Sequence, residues 1–161
     1  MNAARLLLAG ALLTSAVALY AKPVPHPSAP TGVEIVTARQ AGMDMSVATL
    51  AGLSNASANG VPLKNLGFSA GGLAKWATVL PTLFSDNTKG LTSRAKPEVW
   101  SDRAGFQAKA QAFIDATKGL SAAAAADDKA AFTAALASTK AACKGCHDSY
   151  QVPPPVAKPA A

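Results

Sequence analysis

The sequence predicts an all-α fold, an antiparallel four-helix bundle, on three observations. Alanine supplies much of the 50% hydrophobic content and only 6% of the residues are aromatic, a composition typical of helices that pack through small side chains. Four segments carry apolar residues at helical spacing, and no stretch shows the alternation of a strand. Mostly short connections rich in Gly, Pro, Asn or Asp separate these segments, which favours antiparallel neighbours.

A leader and a linker are predicted to precede the bundle. Residues 1–21 have the pattern of an export signal, because the charged Arg5 is followed by an apolar run and an A-x-A-like cleavage site. The alternative is an uncleaved membrane anchor. The apolar residues 6–21 would span about 24 Å as a helix, which is shorter than the ~30 Å hydrocarbon core. Residues 22–30 contain prolines too closely spaced for regular structure and indicate an extended linker.

The first helix is predicted from Thr31 or Gly32 to about Asn55. Thr31 suits the N-cap position, and Glu34 three residues later completes the pattern of a capping box. An inward-facing stripe at helical spacing is predicted for Val36, Gln40, Met43, Val47 and Leu50.

The second helix is predicted from about Val61 to Leu80, with Pro62 in its first turn and an end before Pro81. Residues 81–97 form the longest predicted loop. Because a long loop in a compact domain usually has a function, we expect this one to contribute to a binding site.

The third and fourth helices are predicted to complete a bundle of residues 31–151. The third begins near Glu98 or Ser101 and runs to about Ala126. Its inward stripe consists of Phe106, Ala110, Phe113, Thr117 and Leu120. The fourth follows a cap at Asp127 or Asp128, and its inward stripe consists of Phe132, Leu136, Thr139 and Cys143. It ends near Tyr150, and residues 152–161 are expected to form a Pro-rich disordered tail.

The stretch Cys143-Lys144-Gly145-Cys146-His147 carries the strongest chemical signal. A C-x-x-C-H sequence is the signature of covalent c-type haem attachment. On a helix the two thiols and the imidazole share one face, so both sulfurs can reach one porphyrin while His147 serves as an axial iron ligand. A dithiol redox pair or disulfide is the main alternative, although it expects an α/β setting. A structural zinc site needs a fourth ligand, and the only other histidine is His26 in the linker.

The charge of the chain argues against nucleic-acid binding. The formal net charge is +6, but the lysines are scattered and form no basic run with interleaved aromatic residues. A modest positive surplus favours redox partners with acidic surfaces. Haem thioether formation takes place on the export side, so the leader and the attachment motif together predict a periplasmic protein.

Several motifs resemble the class II c-type cytochromes, which include cytochrome c′ and the cytochrome c-556 type. The similarity covers residues 31–150, and the attachment motif lies near the C-terminus, as in that class. The matching segments are Arg39-Gln40-Ala41-Gly42-Met43, Leu80-Pro81-Thr82-Leu83-Phe84, Lys96-Pro97-Glu98-Val99-Trp100 with Phe106, and Cys143-Lys144-Gly145-Cys146-His147-Asp148-Ser149-Tyr150.

The resemblance implies one haem between the helices, with His147 proximal and position 43 over the distal face. It also implies that Arg39 lies near a propionate, where a planar cation forks well onto a carboxylate. We expect the haem pocket to include Arg39, Gln40, Phe84, Trp100 and Tyr150. Position 151, commonly basic in the family, is Gln151, which predicts that a positive charge near the proximal imidazole is missing. A homodimer through the first two helices is also implied.

The function depends on whether Met43 binds the iron. A His/Met pair would make the protein a low-spin carrier of one electron, which is the prediction favoured here. A Met43 that only packs against the haem would leave a five-coordinate iron open to NO or CO. Enzymatic activity is not expected, because a peroxidase needs a distal acid–base residue and no histidine is available for that role.

Overall fold

The computed structural model describes residues 28–154, and the predicted all-α bundle is confirmed. Five α-helices occur in this part of the chain, namely α1 (Gly32–Ala58), α2 (Gly67–Val79), α3 (Glu98–Ser101), α4 (Arg103–Ala126) and α5 (Lys129–Tyr150). The four long helices form the bundle, in which α4 packs against both α2 and α5. None of the helices in residues 28–154 has the length and apolar character needed to cross a bilayer.

Helix α1 begins as predicted but buries a different stripe. The Oγ1 of Thr31 accepts from the Glu34 N–H at 3.3 Å, and a Glu34 carboxylate oxygen accepts from the Thr31 N–H at 2.7 Å, which is a complete capping box. The predicted positions Gln40 and Val47 are exposed, the latter to 69%. The buried residues of α1 are Val36, Arg39, Ser46, Leu50 and Leu53. Val36 and Leu50 are buried as predicted, whereas Arg39 and Ser46 were missed because hydropathy counts arginine and serine as surface residues.

The second predicted helix is divided into three pieces. A 3-10 turn at Leu63–Leu66 precedes α2, and another at Leu80–Leu83 follows it. Pro62 has an extended backbone at φ −53° and ψ 129°, so it lies before the first turn and not inside it. As predicted, the α-helix ends before Pro81. Pro81 itself lies within the second 3-10 turn, at a position where a helix N–H has no intrahelical partner.

The third predicted helix is broken at Asp102. The short helix α3 ends there, and the Asp102 side chain then caps α4 by accepting from the Gly105 N–H at 3.1 Å. The predicted stripe of α4 is buried except at Ala110, which is half-buried. At the other end, Asp127 closes α4 with a left-handed backbone (φ 56°), and Asp128 caps α5.

The core divides into two clusters at opposite ends of the bundle. The aliphatic cluster lies toward the α4–α5 connection and includes Leu53, Leu66, Leu120, Ala124 and Phe132. The aromatic cluster lies at the other end and consists of Phe84, Val99, Phe106 and Tyr150. A loop with a 3-10 turn at Asp86–Thr88 covers this second end. The predicted leader 1–21, His26 and the last residues of the predicted tail lie outside the described residues.

Candidate functional site

A cavity of about 580 Å³ opens between the long helices beside the aromatic cluster. Its volume falls within the range of about 300–1,000 Å³ that is usual for ligand pockets. Most of the residues predicted for a haem site meet at this cavity. They are Arg39, Gln40, Met43, Phe84, Cys143, Cys146, His147 and Tyr150.

Helix α5 presents the attachment motif to the cavity. Cys143 and Cys146 are free thiols and half-buried, and burial raises the pKa of each. Partial burial also lowers the pKa of His147, and the nearby charge of Arg94 lowers it further. These shifts favour neutral thiols and a neutral imidazole. Two neutral thiols and one neutral imidazole on one helix face fit a haem that is attached by two thioethers and has an imidazole as an axial ligand.

Helix α1 forms the facing wall. Met43 is half-buried and packs against the aromatic cluster. The side chains of Gln40 and Val47 line the cavity, and this explains how both can belong to an interior stripe and still be exposed. The α1 residues that line the cavity therefore combine the thioether of Met43 and the apolar Val47 and Leu50 with polar side chains such as Gln40 and Asp44.

Arg39 joins α1 to the loop at the aromatic end. Its Nη1 donates to the Leu83 carbonyl and to Thr88 Oγ1, and its Nη2 donates to Ser93 Oγ, each at 3.1 Å. The guanidinium also lies 4.4 Å from the centre of the Phe84 ring. Desolvation lowers the pKa of Arg39. The side chain is only 2% exposed, so it fixes the loop and the Phe84 ring in addition to lining the cavity.

The aromatic cluster closes one end of the cavity. The Phe106 ring packs edge-on against Phe84 at 4.9 Å and against Tyr150 at 5.5 Å. The Tyr150 hydroxyl donates to Asp102 Oδ2 at 2.6 Å, and this bond raises the pKa of Tyr150 to about 12. A side chain at Gly105 would collide with both partners and would have to displace this hydrogen bond.

The tryptophan that lines the cavity is not the predicted one. Trp100 packs behind Phe84 at 6.4 Å and donates its indole N–H to the Ser85 carbonyl at 3.2 Å, and it is not among the described residues that line the cavity. Trp76 of α2 lines the cavity instead and packs so close to Gly42 that a β-carbon there would clash. Sequence reasoning missed Trp76, although its position between the buried Leu73 and Ala77 was a usable signal.

The structure brings another cation, Arg94, to the cavity beside the uncharged position 151. Arg94 lines the cavity together with His147, and its Nη2 donates to Gln151 Oε1 at 3.1 Å. The sequence places Arg94 far from the attachment motif, so inspection of position 151 alone could not find it.

Comparison with known proteins points to one family. The family model described as Cytochrome C′ matches residues 34–151. Cytochrome c′ of Rubrivivax gelatinosus is 48% identical over 71 residues, a match that covers 44% of this chain and 55% of the relative. Cytochrome c′ of Alcaligenes xylosoxydans is 45% identical over 78 residues, covering 48% and 60%. The matched stretch therefore spans little more than half the length of these relatives.

Solved structures show the same likeness over a longer range. The crystal structure of cytochrome c′ from Rubrivivax gelatinosus superposes with a TM-score of 0.69 at 30% identity, covering 76% of this chain and 98% of that one. A ferrous variant from Alcaligenes xylosoxidans with bound NO gives 0.71 at 29% identity, with 78% and 99% covered. A carbon monoxide-bound variant from the same organism gives 0.70 at 30%, with 76% and 98% covered.

Proposed function

The chain belongs to the cytochrome c′ family, and from this premise we propose that it holds one haem c and binds small diatomic gases such as NO and CO. One observation carries the proposal: α5 presents Cys143, Cys146 and His147 to a cavity whose facing wall holds Met43. The two thiols would form the thioethers, and His147 would be the axial ligand.

The division of the cavity between two helices supports the gas-binding role. A bound haem would be held by Cys143, Cys146 and His147 and would supply an iron centre able to bind a diatomic molecule. Met43 and Val47 line the α1 side of the cavity and would be the apolar neighbours of a small diatomic molecule there. Among the solved relatives, variants of the Alcaligenes protein hold NO or carbon monoxide. Met43 is proposed to pack over the iron without binding it, which is the alternative interpretation of the sequence.

A one-electron carrier is the second candidate function, and the position of Met43 favours it. A thioether is an effective axial ligand for haem iron, and Met43 faces the cavity that holds His147. In that case the iron would have no open position and would transfer electrons with redox proteins that have acidic surfaces. No catalytic reaction is proposed for either candidate.

The location and assembly of the protein belong to the same proposal. Export to the periplasm is supported by the apolar leader predicted at residues 1–21. A homodimer through α1 and α2 is supported by large apolar side chains that are exposed on these helices, namely Met45 at 69% and Phe68 at 94%.

Covalent attachment is tested by replacing both thiols. The full chain is exported by a host that makes c-type cytochromes, as the wild type and as the variant Cys143→Ala with Cys146→Ala. We expect haem stain on the denatured wild-type polypeptide and none on the variant, because no other described residue is a cysteine. A colourless wild type at the bare polypeptide mass would refute the haem assignment.

Addition of carbon monoxide separates the two candidate functions. We expect the ferrous protein to show high-spin bands that change when carbon monoxide is added, and Met43→Leu to behave like the wild type. The electron carrier would instead be established by narrow low-spin bands that do not change when carbon monoxide is added and that are lost in Met43→Leu. Met45→Leu is the matched control, because Met45 is an exposed methionine of the same helix.

A further inference from the structure

Residues 94–96 form a short antiparallel contact with the end of α5. The Val152 N–H donates to the Arg94 carbonyl at 2.8 Å, and the Lys96 N–H donates to the Tyr150 carbonyl at 2.9 Å. Ala95 and Gln151 pair between these two bonds. The contact therefore fixes the backbone of Arg94 beside the last turn of α5.

The Arg94 side chain is fixed as well. Its Nε donates to the Val152 carbonyl at 2.9 Å, and its Nη2 donates to Gln151 Oε1 at 3.1 Å. Gln151 follows His147 by four residues, and its N–H donates to the His147 carbonyl at 3.0 Å. The Gln151 side chain thus holds the guanidinium next to the turn that carries the imidazole.

Helix capping does not account for Arg94. A cation near a helix C-terminus commonly interacts with the last carbonyls, but Lys96 already has this role, since its Nζ donates to the carbonyls of Asp148 and Ser149 at 3.1 and 3.2 Å. Arg94, by contrast, lines the cavity together with His147 and Gln151, whereas Lys96 does not.

We propose that Arg94, held by Gln151, supplies a positive charge that acts on the His147 imidazole. A fixed cation beside an axial imidazole disfavours the more positive ferric state relative to the ferrous state, and it draws electron density away from the ligand nitrogen. Arg94 is thus a positioning residue for the redox equilibrium of the haem. The inference rests on the proposed function, because it needs a haem on α5.

The test measures the midpoint potential of the exported haem protein and its iron–imidazole stretching frequency. In the measured equilibrium, ferric iron takes one electron from an electrode through a soluble mediator. We expect Arg94→Gln to shift this equilibrium about threefold to tenfold toward the ferric form, a fall of roughly 30–59 mV at 59 mV per tenfold for one electron. The stretching frequency should change as well, which a cation acting only on a propionate would not produce.

Three further variants complete the test. Arg94→Lys keeps the charge, so the equilibrium constant for reduction should stay within about twofold of the wild-type value. Arg94→Gln with Gln151→Lys should recover most of the shift, because it returns a cation from the paired segment. Lys64→Gln removes the same charge at the other end of the bundle and should leave both readouts unchanged.

The proposal is overturned if Arg94→Gln retains haem and the wild-type potential, if the Gln151→Lys rescue fails, or if Lys64→Gln shifts the potential as much. Should Arg94→Gln fail to fold, the variant Gln151→Ala decides, since loss of the side chain that holds the Arg94 guanidinium must lower the potential; an unchanged potential in that variant overturns the proposal. A wild type that carries no haem would refute the proposed function itself, so the two failures are distinguishable.

Discussion

The two ends of the bundle are built on different principles. The aliphatic end is held by leucine, alanine and Phe132, which pack without polar partners. The aromatic end is held by directed contacts around a cavity, namely the three hydrogen bonds of Arg39, the Tyr150–Asp102 bond and edge-on rings. One end supplies stability through buried apolar area, and the other orients side chains around a space where a cofactor can lie. The comparison predicts that mutations at the two ends affect different observables.

The largest loss of stability is expected for Phe132→Ala. Phe132 is fully buried in the aliphatic cluster, so its truncation leaves a cavity and should lower the free energy of unfolding by about 3–5 kcal/mol. The haem spectrum should not change, because Phe132 lies outside the cavity. Urea unfolding and optical spectra measure the two effects.

Phe68→Ala is the matched control, since Phe68 is 94% exposed. We expect a change within about 0.5 kcal/mol for this surface position. Equal losses for the two phenylalanines would contradict the assignment of the aliphatic cluster as the main source of stability.

A smaller loss of stability, together with a change in the spectrum, is expected for Arg39→Ala. The variant leaves the Leu83 carbonyl and the Thr88 and Ser93 hydroxyls without this donor, and we expect the free energy of unfolding to fall by about 2–3 kcal/mol. The absorption bands should shift as Phe84 loses the guanidinium beside it.

Arg39→Lys keeps the charge but lacks the planar fork, so it should recover less than half of this loss. Full recovery by lysine would show that the charge matters and that the directed hydrogen bonds do not.

The smallest effect, and one that depends on pH, is expected for Tyr150→Phe. The folded-state pKa of Tyr150 is raised to about 12, so its bond to Asp102 stabilises the fold fully below about pH 10 and is lost as the pH rises toward 12. The pKa of Asp102 is lowered by the same bond and by the Gly105 N–H, so this contribution is also lost as the pH falls through the acidic range. The urea midpoint of Tyr150→Phe should lie below the wild-type value at pH 7, and the difference should shrink at both extremes. A constant difference across these pH values would refute the coupling.

Local signals account for the parts of the structure that sequence reasoning predicted. The capping box of Thr31 and Glu34 and the aspartate caps depend only on neighbours in the chain, and the attachment motif lies within five residues. The parts that were missed depend on distant contacts. Arg39 is buried because residues 83–93 supply its acceptors. Arg94 meets Gln151 only after the chain folds, and Trp76 reaches the cavity only because Gly42 leaves room for its ring.

The two thiols and the imidazole lie within little more than one turn of α5, and this affects how the protein can evolve. Retention of the cofactor needs no agreement between remote parts of the polypeptide, because a single short segment contains every group that would hold it. Substitutions at Met43 or Val47 can therefore alter which molecules reach the ring without releasing it. Ligand preference and cofactor retention would thus depend on different segments of the chain. The preference could change during evolution while retention is preserved.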